Sequence, residues 1–475
     1  MGEAAPLFAK LPNESVHNIF SLLDAVDLVP LARVCRLFCS HINGNRALFH
    51  SVYKRLLDTP KDVEIDYEAE VRRLGRLQVI CSRPTADEKK HELAFVSEAV
   101  DRLLELACSR GRTMDNSGTQ AIAPSTHAFS YNVQLLARLF SEYSTRSAFM
   151  QRSCLFERIR DEAIRPPRPP KEEHQQSAKL HCLYGCPIFR TGDCQQASGH
   201  TYPLAVSRLF DIRLSTQAAH FGPFLDDGSD GIDWEKVEAI IIVLGAKMRQ
   251  IRVSRLFPDI CHGPFSGSWA QSFVPPPEPG LVPSASDPYG VTGTWYRALS
   301  SIDFMDFLKL NFPLELADGD PLQMPLRPAC LQQYFQLHAM RISVTSIESP
   351  GPNDGQTLPV VYFKGTSWPL NATDSDTPVV CKGSVRLTRQ GDVRWSIVVM
   401  HQGDNHWRVE GVQLGGVRSA RGVVGNWFEC IAEEPSERGP TAFWKATDSD
   451  VASDEIHAAF AAEFGAKYKV VWASV

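Results

Sequence analysis

The spacing of the apolar residues changes along this 475-residue chain, and that change limits the folds it can adopt. In the N-terminal region apolar side chains recur three and four positions apart, as from Val16 to Leu23, which is typical of a helix with one buried face. In the last third they alternate, as from Val393 to Val399, which is typical of a strand with one buried face. The sequence therefore predicts an α+β protein with helices and antiparallel strands in separate regions.

The N-terminal helical unit is small for the number of large apolar residues it carries. It begins at Leu11-Pro12-Asn13-Glu14, is interrupted at Asn43-Gly44-Asn45 and resumes from Leu48 to Leu57. Two to three short helices of this size rarely bury enough surface to be stable alone. Part of the apolar surface should therefore contact something else, either the rest of the same chain or a partner protein. The spacing of the apolar residues does not distinguish packing on the same chain from binding of a partner.

The same segment resembles the F-box motif in both residue type and spacing. No insertion is needed, and Phe49 occupies the closing aromatic position that is often Trp. The matching residues are Leu11, Pro12, Glu14, Ile19, Leu22, Leu23, Asp27, Leu28, Leu31, Val34, Cys35, Arg36, Phe38, Ile42, Leu48 and Phe49. The resemblance implies a three-helix unit that docks on a Skp-type adaptor, which in turn holds a cullin.

The resemblance also implies which residues would contact that adaptor, although some of them would serve the internal core instead. The expected contact residues are Leu11, Pro12, Ile19, Leu22, Leu23, Leu28, Leu31, Val34, Cys35, Phe38 and Leu48.

The composition argues against several classes of partner and predicts the compartment in which the protein works. The formal net charge of −6 argues against a nucleic-acid-binding protein and against a polybasic membrane anchor. The longest apolar run, Ala239 to Ala246, is far shorter than the ~20 residues of a membrane span. No secretory signal is visible, so the twelve cysteines are expected to be reduced thiols. We therefore expect a cytoplasmic and/or nuclear protein.

Proline-rich stretches and the change of period divide the chain into regions. Residues 1–52 form the predicted F-box, and residues 53–165 continue as helices. The run Arg165-Pro166-Pro167-Arg168-Pro169-Pro170 predicts a loop or linker over residues 166–180. Residues 181–330 are predicted to be mostly helical with long loops, and residues 331–475 to form an antiparallel β-rich domain, as a meander that could close into a sandwich or barrel.

The C-terminal region also resembles a large group of fungal F-box proteins that have no assigned target. The motifs that carry this resemblance are Gly222-Pro223-Phe224, Gly231-x-Asp233-Trp234-Glu235, Gly293-Thr294-Trp295, Asp303-Phe304-x-Asp306-Phe307 and Glu410 to Ser419. The last segment, from about Ala452 to Val475, departs from that group.

Three clusters could carry chemistry, and each has a simpler structural explanation. The first holds zinc-type ligands, His181, Cys182, Cys186, Cys194 and His200, but lacks a second closely spaced pair. In the second, His401, Asp404, His406 and Glu410 surround a predicted hairpin turn. The third, Gly415 to Gly422, could hold an anion through backbone N–H groups and arginines, or could be a turn.

The sequence therefore predicts a substrate-recognition adaptor of a Skp–cullin–F-box ubiquitin ligase, with an unknown protein target bound by the C-terminal region. We expect no enzymatic activity, no cofactor, no metal, no nucleic acid and no membrane. Two alternatives stay open: an F-box interaction module that works outside a ligase, and a β domain that binds a small ligand.

Overall fold

The computed structural model describes residues 11–60, 63–107, 130–161, 171–184, 195–250, 287–312, 333–370, 378–401, 404–417, 419, 421–430 and 437–447. They belong to two compact units, Met1–Phe149 and Met150–Val475. The first is helical, and the second combines helices with one antiparallel sheet, so the predicted α+β class is confirmed. Within the described residues no helix is both long and apolar enough to span a membrane.

The described part of the first unit consists of short helices that bury apolar side chains between them. The helices are α1 (Asn13–Ser21), α2 (Ala25–Leu31), α3 (Arg36–Ile42), α4 (Arg46–Leu56), α5 (Tyr67–Ser82), α6 (Ala86–Lys89), α7 (Leu93–Glu105), α8 (Tyr131–Leu139) and α9 (Tyr143–Phe149). Several begin at a side chain that caps the helix: Asn45 accepts from the Leu48 N–H at 3.0 Å and Asp66 from the Ala69 N–H at 3.1 Å.

The second unit places a layer of helices against one side of a β-barrel. Its helices are α10 (Cys154–Asp161), α11 (Glu172–Tyr184), α12 (Gln195–Phe210), α13 (Trp234–Gln250) and α14 (Phe304–Asn311). Helix α13 is buried on several faces because it lies between the other helices and the outer surface of the sheet. Its Ile240 and Val243 share one apolar cluster with Tyr296 and Trp444 of the sheet.

The sheet is a closed barrel in which each strand pairs antiparallel with the next and the last pairs with the first. The strands are β1 (Gly293–Ile302), β2 (Gln333–Glu348), β3 (Val360–Pro369), β4 (Val379–Leu387), β5 (Val393–His401), β6 (Asp404–Gln413), β7 (Val423–Glu429) and β8 (Arg438–Thr447). Closure pairs every edge strand, which removes the exposed edges of an open sheet. The predicted alternation of β5 is confirmed, since Val393, Trp395 and Ile397 all face the interior cluster.

Several helices and strands cross the boundaries predicted between regions. Helix α4 runs across the predicted boundary at residue 52, and the N-terminal segment has four helices up to Leu56 rather than two to three. Helix α11 begins at Glu172, inside the predicted linker, because two glutamates in its first turn favour a helix start that the preceding prolines obscured. The β region begins at Gly293 rather than residue 331, because β1 is buried on both faces and so lacks the alternating pattern.

Candidate functional site

The N-terminal end of the first unit exposes apolar side chains on α1. The helix begins directly after Pro12, whose carbonyl accepts from the Val16 N–H at 3.1 Å. Val16 and Phe20 point into the core, whereas Ile19 is 41% exposed. Leu22, at the end of the same helix, is 73% exposed, the largest value among the exposed apolar residues of the described chain. Exposed leucines are unremarkable singly, but several together suggest a contact surface.

A second exposed segment lies between α2 and α3. Val34 is 66% exposed. The neighbouring Cys35 is also exposed, and its Sγ atom caps α3 by accepting from the Phe38 N–H at 3.5 Å. Phe38 is half-buried because its ring meets the edge of Phe20 at 5.4 Å between centroids. Phe38 therefore anchors the segment to the rest of the unit, while the side chains of Val34 and Cys35 stay accessible to solvent.

The eleven predicted contact residues fall into three groups. Leu11, Pro12, Ile19, Leu22, Val34 and Cys35 are exposed, and we call these six the apolar surface. Leu23, Leu31 and Phe38 are half-buried. Leu28 and Leu48 are fully buried, with 0% exposure. A side chain without accessible surface packs inside its own unit, so both are core residues in this structure, and we do not include them in the contact surface.

Arg55, which sequence reasoning missed, holds the turn that carries Leu22 and Leu23. From the last turn of α4 its guanidinium donates to the carbonyl oxygens of Ser21, at 3.3 Å, and of Leu23. It also pairs with Asp24 at 3.4 Å. The backbone carbonyls at the end of α1 are thereby satisfied by a cation, which suits the negative end of a helix. No spacing rule could have found this contact, because the partners are more than thirty residues apart.

Helix α5 supports the same segment from the other side. A Cβ atom on Gly75 would lie 2.7 Å from the carbonyl oxygen of Ala25, so glycine permits the close approach of α2 and α5. Glu68 of α5 accepts from the Gly44 N–H at 3.2 Å, and Arg72 donates to the Asn43 side chain at 2.8 Å. The four N-terminal helices are therefore packed on the rest of their unit and are not a free-standing domain.

The comparisons with known proteins agree with this geometry for the N-terminal segment. A family model described as F-box-like matches residues 8–55. The chain therefore carries an F-box-like domain at this end, and such a domain implies binding to a Skp-type adaptor. No curated protein matches the chain, and no solved structure does. The resemblance of the C-terminal region to fungal F-box proteins thus has no support from these comparisons.

The zinc-type residues are only partly described. Cys186 and Cys194 lie outside the described residues, as does the side chain of His200. His181 instead forms a 2.6 Å hydrogen bond with the buried Glu238. Cys182 is buried, and its Sγ atom donates to the carbonyl of Trp234 at 3.9 Å. Among the described residues no group of three or more His, Cys, Asp or Glu side chains is arranged to hold a metal ion.

Glu410, from the predicted hairpin cluster, belongs to an ion network on the outer face of the barrel. It is fully buried and accepts from Arg394 at 2.8 Å, from Arg408 at 2.7 Å and from the Ser396 hydroxyl at 2.8 Å. The carboxylate is held by two guanidinium groups and has no free face for acid–base work. The side chains of His401 and Asp404 lie outside the described residues.

The same network attaches the loop that precedes α13, and that contains Asp230, to the barrel. Asp230 accepts from Arg386 at 2.9 Å and also pairs with Arg394, and Arg386 pairs with Asp354. Burial alone would raise the pKa of Asp230, but the adjacent Arg394 and Arg386 outweigh it, and the pKa is lowered. The loop that ends at Asp230 is thus fixed by charge pairs, which makes a structural role the simplest explanation.

The glycine-rich segment is a turn at the end of β6. Gly415, Gly416 and Gly422 have positive φ angles of 80°, 89° and 82°, which glycine adopts without strain. Arg421 is 3% exposed, and its N–H is fixed by the Ser419 hydroxyl at 3.2 Å. Arg418 and Ala420 lie outside the described residues, so the anion-binding prediction stays untested.

Proposed function

We propose that this protein is a substrate-recognition adaptor of a Skp–cullin–F-box ubiquitin ligase. The supporting observation is the apolar surface on the F-box-like domain, where Leu22 and Val34 are 73% and 66% exposed. Burial of such side chains against a partner contributes about 25 cal/mol per Å² removed from water. In this proposal the Skp-type adaptor covers that surface and connects the chain to a cullin, while the second unit binds a protein target.

We also propose that the chain does no covalent chemistry itself, so that ubiquitin transfer belongs to other subunits. Burial raises the pKa of Cys81 to about 11, and it raises the pKa of Cys381 to about 11 in spite of the nearby Arg297. Both thiols are neutral at pH 7, and a neutral thiol is a poor nucleophile. The proposal includes a cytoplasmic and/or nuclear location, which agrees with the free thiols among the described residues.

The direct test is binding of the full chain to a purified Skp-type adaptor, measured by titration calorimetry. Leu22→Asp should weaken binding at least tenfold, because it places a charge within the proposed apolar contact. Val79→Asp is a matched control, since Val79 is 42% exposed on α5, outside residues 8–55. Both variants should keep the stability of the parent within about 0.5 kcal/mol. Equal affinities of the two variants would contradict the proposed surface.

A second measurement separates a ligase subunit from an F-box module that works elsewhere. The full chain, mixed with the adaptor and a cullin, should elute as one complex in size-exclusion chromatography. The Leu22→Asp variant should elute apart from both. If the chain binds the adaptor and never enters the cullin complex, the ligase assignment fails and the interaction-module alternative takes its place.

A further inference from the structure

The interior of the barrel is not uniformly apolar. One part is filled by aromatic rings: Trp395 lies 5.1 Å from Trp295 and 5.4 Å from Phe443, between ring centroids. These side chains share a buried cluster with residues from all of the strands. In this part the interior is filled by side chains, as small barrels commonly are.

Arg297 lies on the same inward face of β1, two positions beyond Trp295. Its neighbours Tyr296 and Ala298 face the helix layer, and Leu299 packs against the interior cluster. Arg297 is only 6% exposed. Its Nε atom donates to the Thr441 hydroxyl at 3.0 Å, and that hydroxyl donates to the Ala298 carbonyl at 2.9 Å. The two terminal nitrogens, which share another edge of the planar guanidinium group, have no hydrogen-bond partner in the described part of the chain.

No carboxylate in the described part of the chain pairs with Arg297, in contrast to Arg386 and Arg394 on the outer face. Burial lowers the pKa of Arg297 to about 10, so the guanidinium keeps its charge at pH 7. A buried charge without a counter-ion is costly, and ordinary cores avoid it. An unpaired cation in this position is therefore unusual for a protein core, and an anion bound beside it would remove this cost.

The groups that face Arg297 from the adjacent strands are neutral at pH 7. His338 is its register partner on β2, and burial, with a smaller effect of Arg297, lowers the pKa of this imidazole to about 3. Cys381 is a buried thiol with a pKa of about 11. The Ser367 hydroxyl lies 3.4 Å from Nδ1 of His338. The charge of Arg297 is thus compensated by none of these neighbours.

The end of the barrel beyond Arg297 has an apolar, partly accessible rim. Leu299, Val379 and Trp407 pack against the interior cluster and are only partly buried. Gln336, the register partner of Leu299, is exposed. The rim at this end is therefore partly accessible to solvent, and Arg297 lies two positions further along β1 from Leu299, toward the aromatic part of the interior.

We propose that this end of the barrel binds a small amphipathic monocarboxylate, with the carboxylate on the terminal nitrogens of Arg297 and the hydrocarbon chain against the rim. Arginine binds a carboxylate with two parallel hydrogen bonds, which gives both energy and orientation. Closed barrels of this strand number are either filled by their own side chains or hold one small ligand. This site is independent of the adaptor surface and would add ligand binding to the function proposed above.

The test uses the full chain without an adaptor and measures sodium octanoate binding by calorimetry. Octan-1-ol has the same tail without the charge, and acetate has the charge without the tail. Octanoate should bind at least tenfold more tightly than either, because both contacts are needed. No octanoate binding at millimolar concentration, or equal binding of octan-1-ol, would overturn the proposal without the use of any variant.

Variants then locate the site. Arg297→Met should lower octanoate affinity at least tenfold, and Arg297→Lys, which keeps the charge but loses the paired donors, should also weaken it. Lys364→Met is the matched control, since it removes an exposed cation from the same barrel and should leave affinity unchanged. Octanoate should also raise the thermal midpoint of the parent and not that of Arg297→Met. Equal affinity of the parent and a folded Arg297→Met variant would refute the site.

Discussion

At the scale of single residues, Leu22 and Leu28 show how far exposure can differ within one small helical segment. Leu22 is 73% exposed and Leu28 is fully buried. We predict that Leu28→Ala lowers the free energy of unfolding by about 2–5 kcal/mol, through lost burial and a new cavity. Leu22→Ala should change it by less than about 0.5 kcal/mol. Urea unfolding of both variants measures this, and comparable losses would contradict the assigned burial.

The sequence predicted the identity of these leucines but not their environment. Leu22 and Leu28 both fit the apolar stripe, and the resemblance to the F-box motif included both as contact residues. Which of them faces solvent depends on α5, which packs on α2, the helix that carries Leu28. Burial is decided by such long-range contacts, for which a local pattern has no signal. For the same reason the sequence did not reveal the contacts of Arg55, whose partners lie far away in sequence.

His338 should make the stability of the second unit depend on pH. Its pKa is lowered to about 3 in the folded state, from an ordinary value of 6.5. The unfolded chain therefore takes up a proton below about pH 6.5 that the folded chain does not. Stability from this residue is present above that pH and is lost as the pH falls toward 3, by at most about 1.4 kcal/mol per pH unit.

We predict that His338→Gln reduces the pH dependence of stability between about pH 6.5 and 4. Urea unfolding, followed by tryptophan fluorescence at several pH values, measures the slope for the parent and the variant. His91, an exposed residue of the first unit, supplies a control in His91→Gln, which should leave the slope of the barrel transition unchanged. Identical slopes for the parent and His338→Gln would mean that the imidazole titrates normally.

At the scale of elements, the loop before α13 depends on charge pairs with the barrel. His220, Phe221 and Asp230 all have positive φ angles, which non-glycine residues adopt at a cost of about 1 kcal/mol or more each. Asp230 offsets part of that cost by pairing with Arg386 and Arg394. The loop should therefore keep this shape only while the pairs persist.

We predict that Asp230→Asn destabilises the second unit by about 1–3 kcal/mol at pH 7, since asparagine tolerates the backbone angle but removes the charge. The pKa of Asp230 is lowered in the folded state, so its stabilising effect is present above about pH 4 and is lost as the pH falls below it. The difference between parent and variant should shrink in that range. Asp227→Asn, at an exposed position of the same loop, is the control. Equal losses for both variants would contradict the role of the pairs.

Elements with one buried face were predictable, and those buried on both faces were not. The alternation of β5 predicted a strand of an antiparallel meander, and the register confirms its pairing with β4, with Val385 opposite Trp395. Strand β1 lacks alternation, since its outer face is covered by helices and its inner face by the interior cluster. Its pairing with β8, which closes the barrel, joins distant parts of the chain and leaves no local signal.

At the scale of the whole molecule, the two units divide the proposed functions between them. The apolar surface lies in Met1–Phe149, and the barrel with Arg297 lies in Met150–Val475. The sequence located the first function because an F-box-like motif is short and contiguous. It did not locate Arg297, because a buried arginine inside a barrel becomes visible only when all strands are in place.

This division predicts that adaptor binding is a property of the first unit alone. It has its own apolar core, from Phe20 and Phe49 to Leu77, Val100 and Leu136, so we expect residues 1–149 to fold independently. Their affinity for a Skp-type adaptor should lie within about threefold of the full chain, a difference below 1 kcal/mol. Residues 150–475 should not bind the adaptor and should retain octanoate binding. If residues 1–149 give a native-like circular dichroism spectrum but bind at least tenfold more weakly, the second unit contributes to the adaptor interface, and the apolar surface is only part of it.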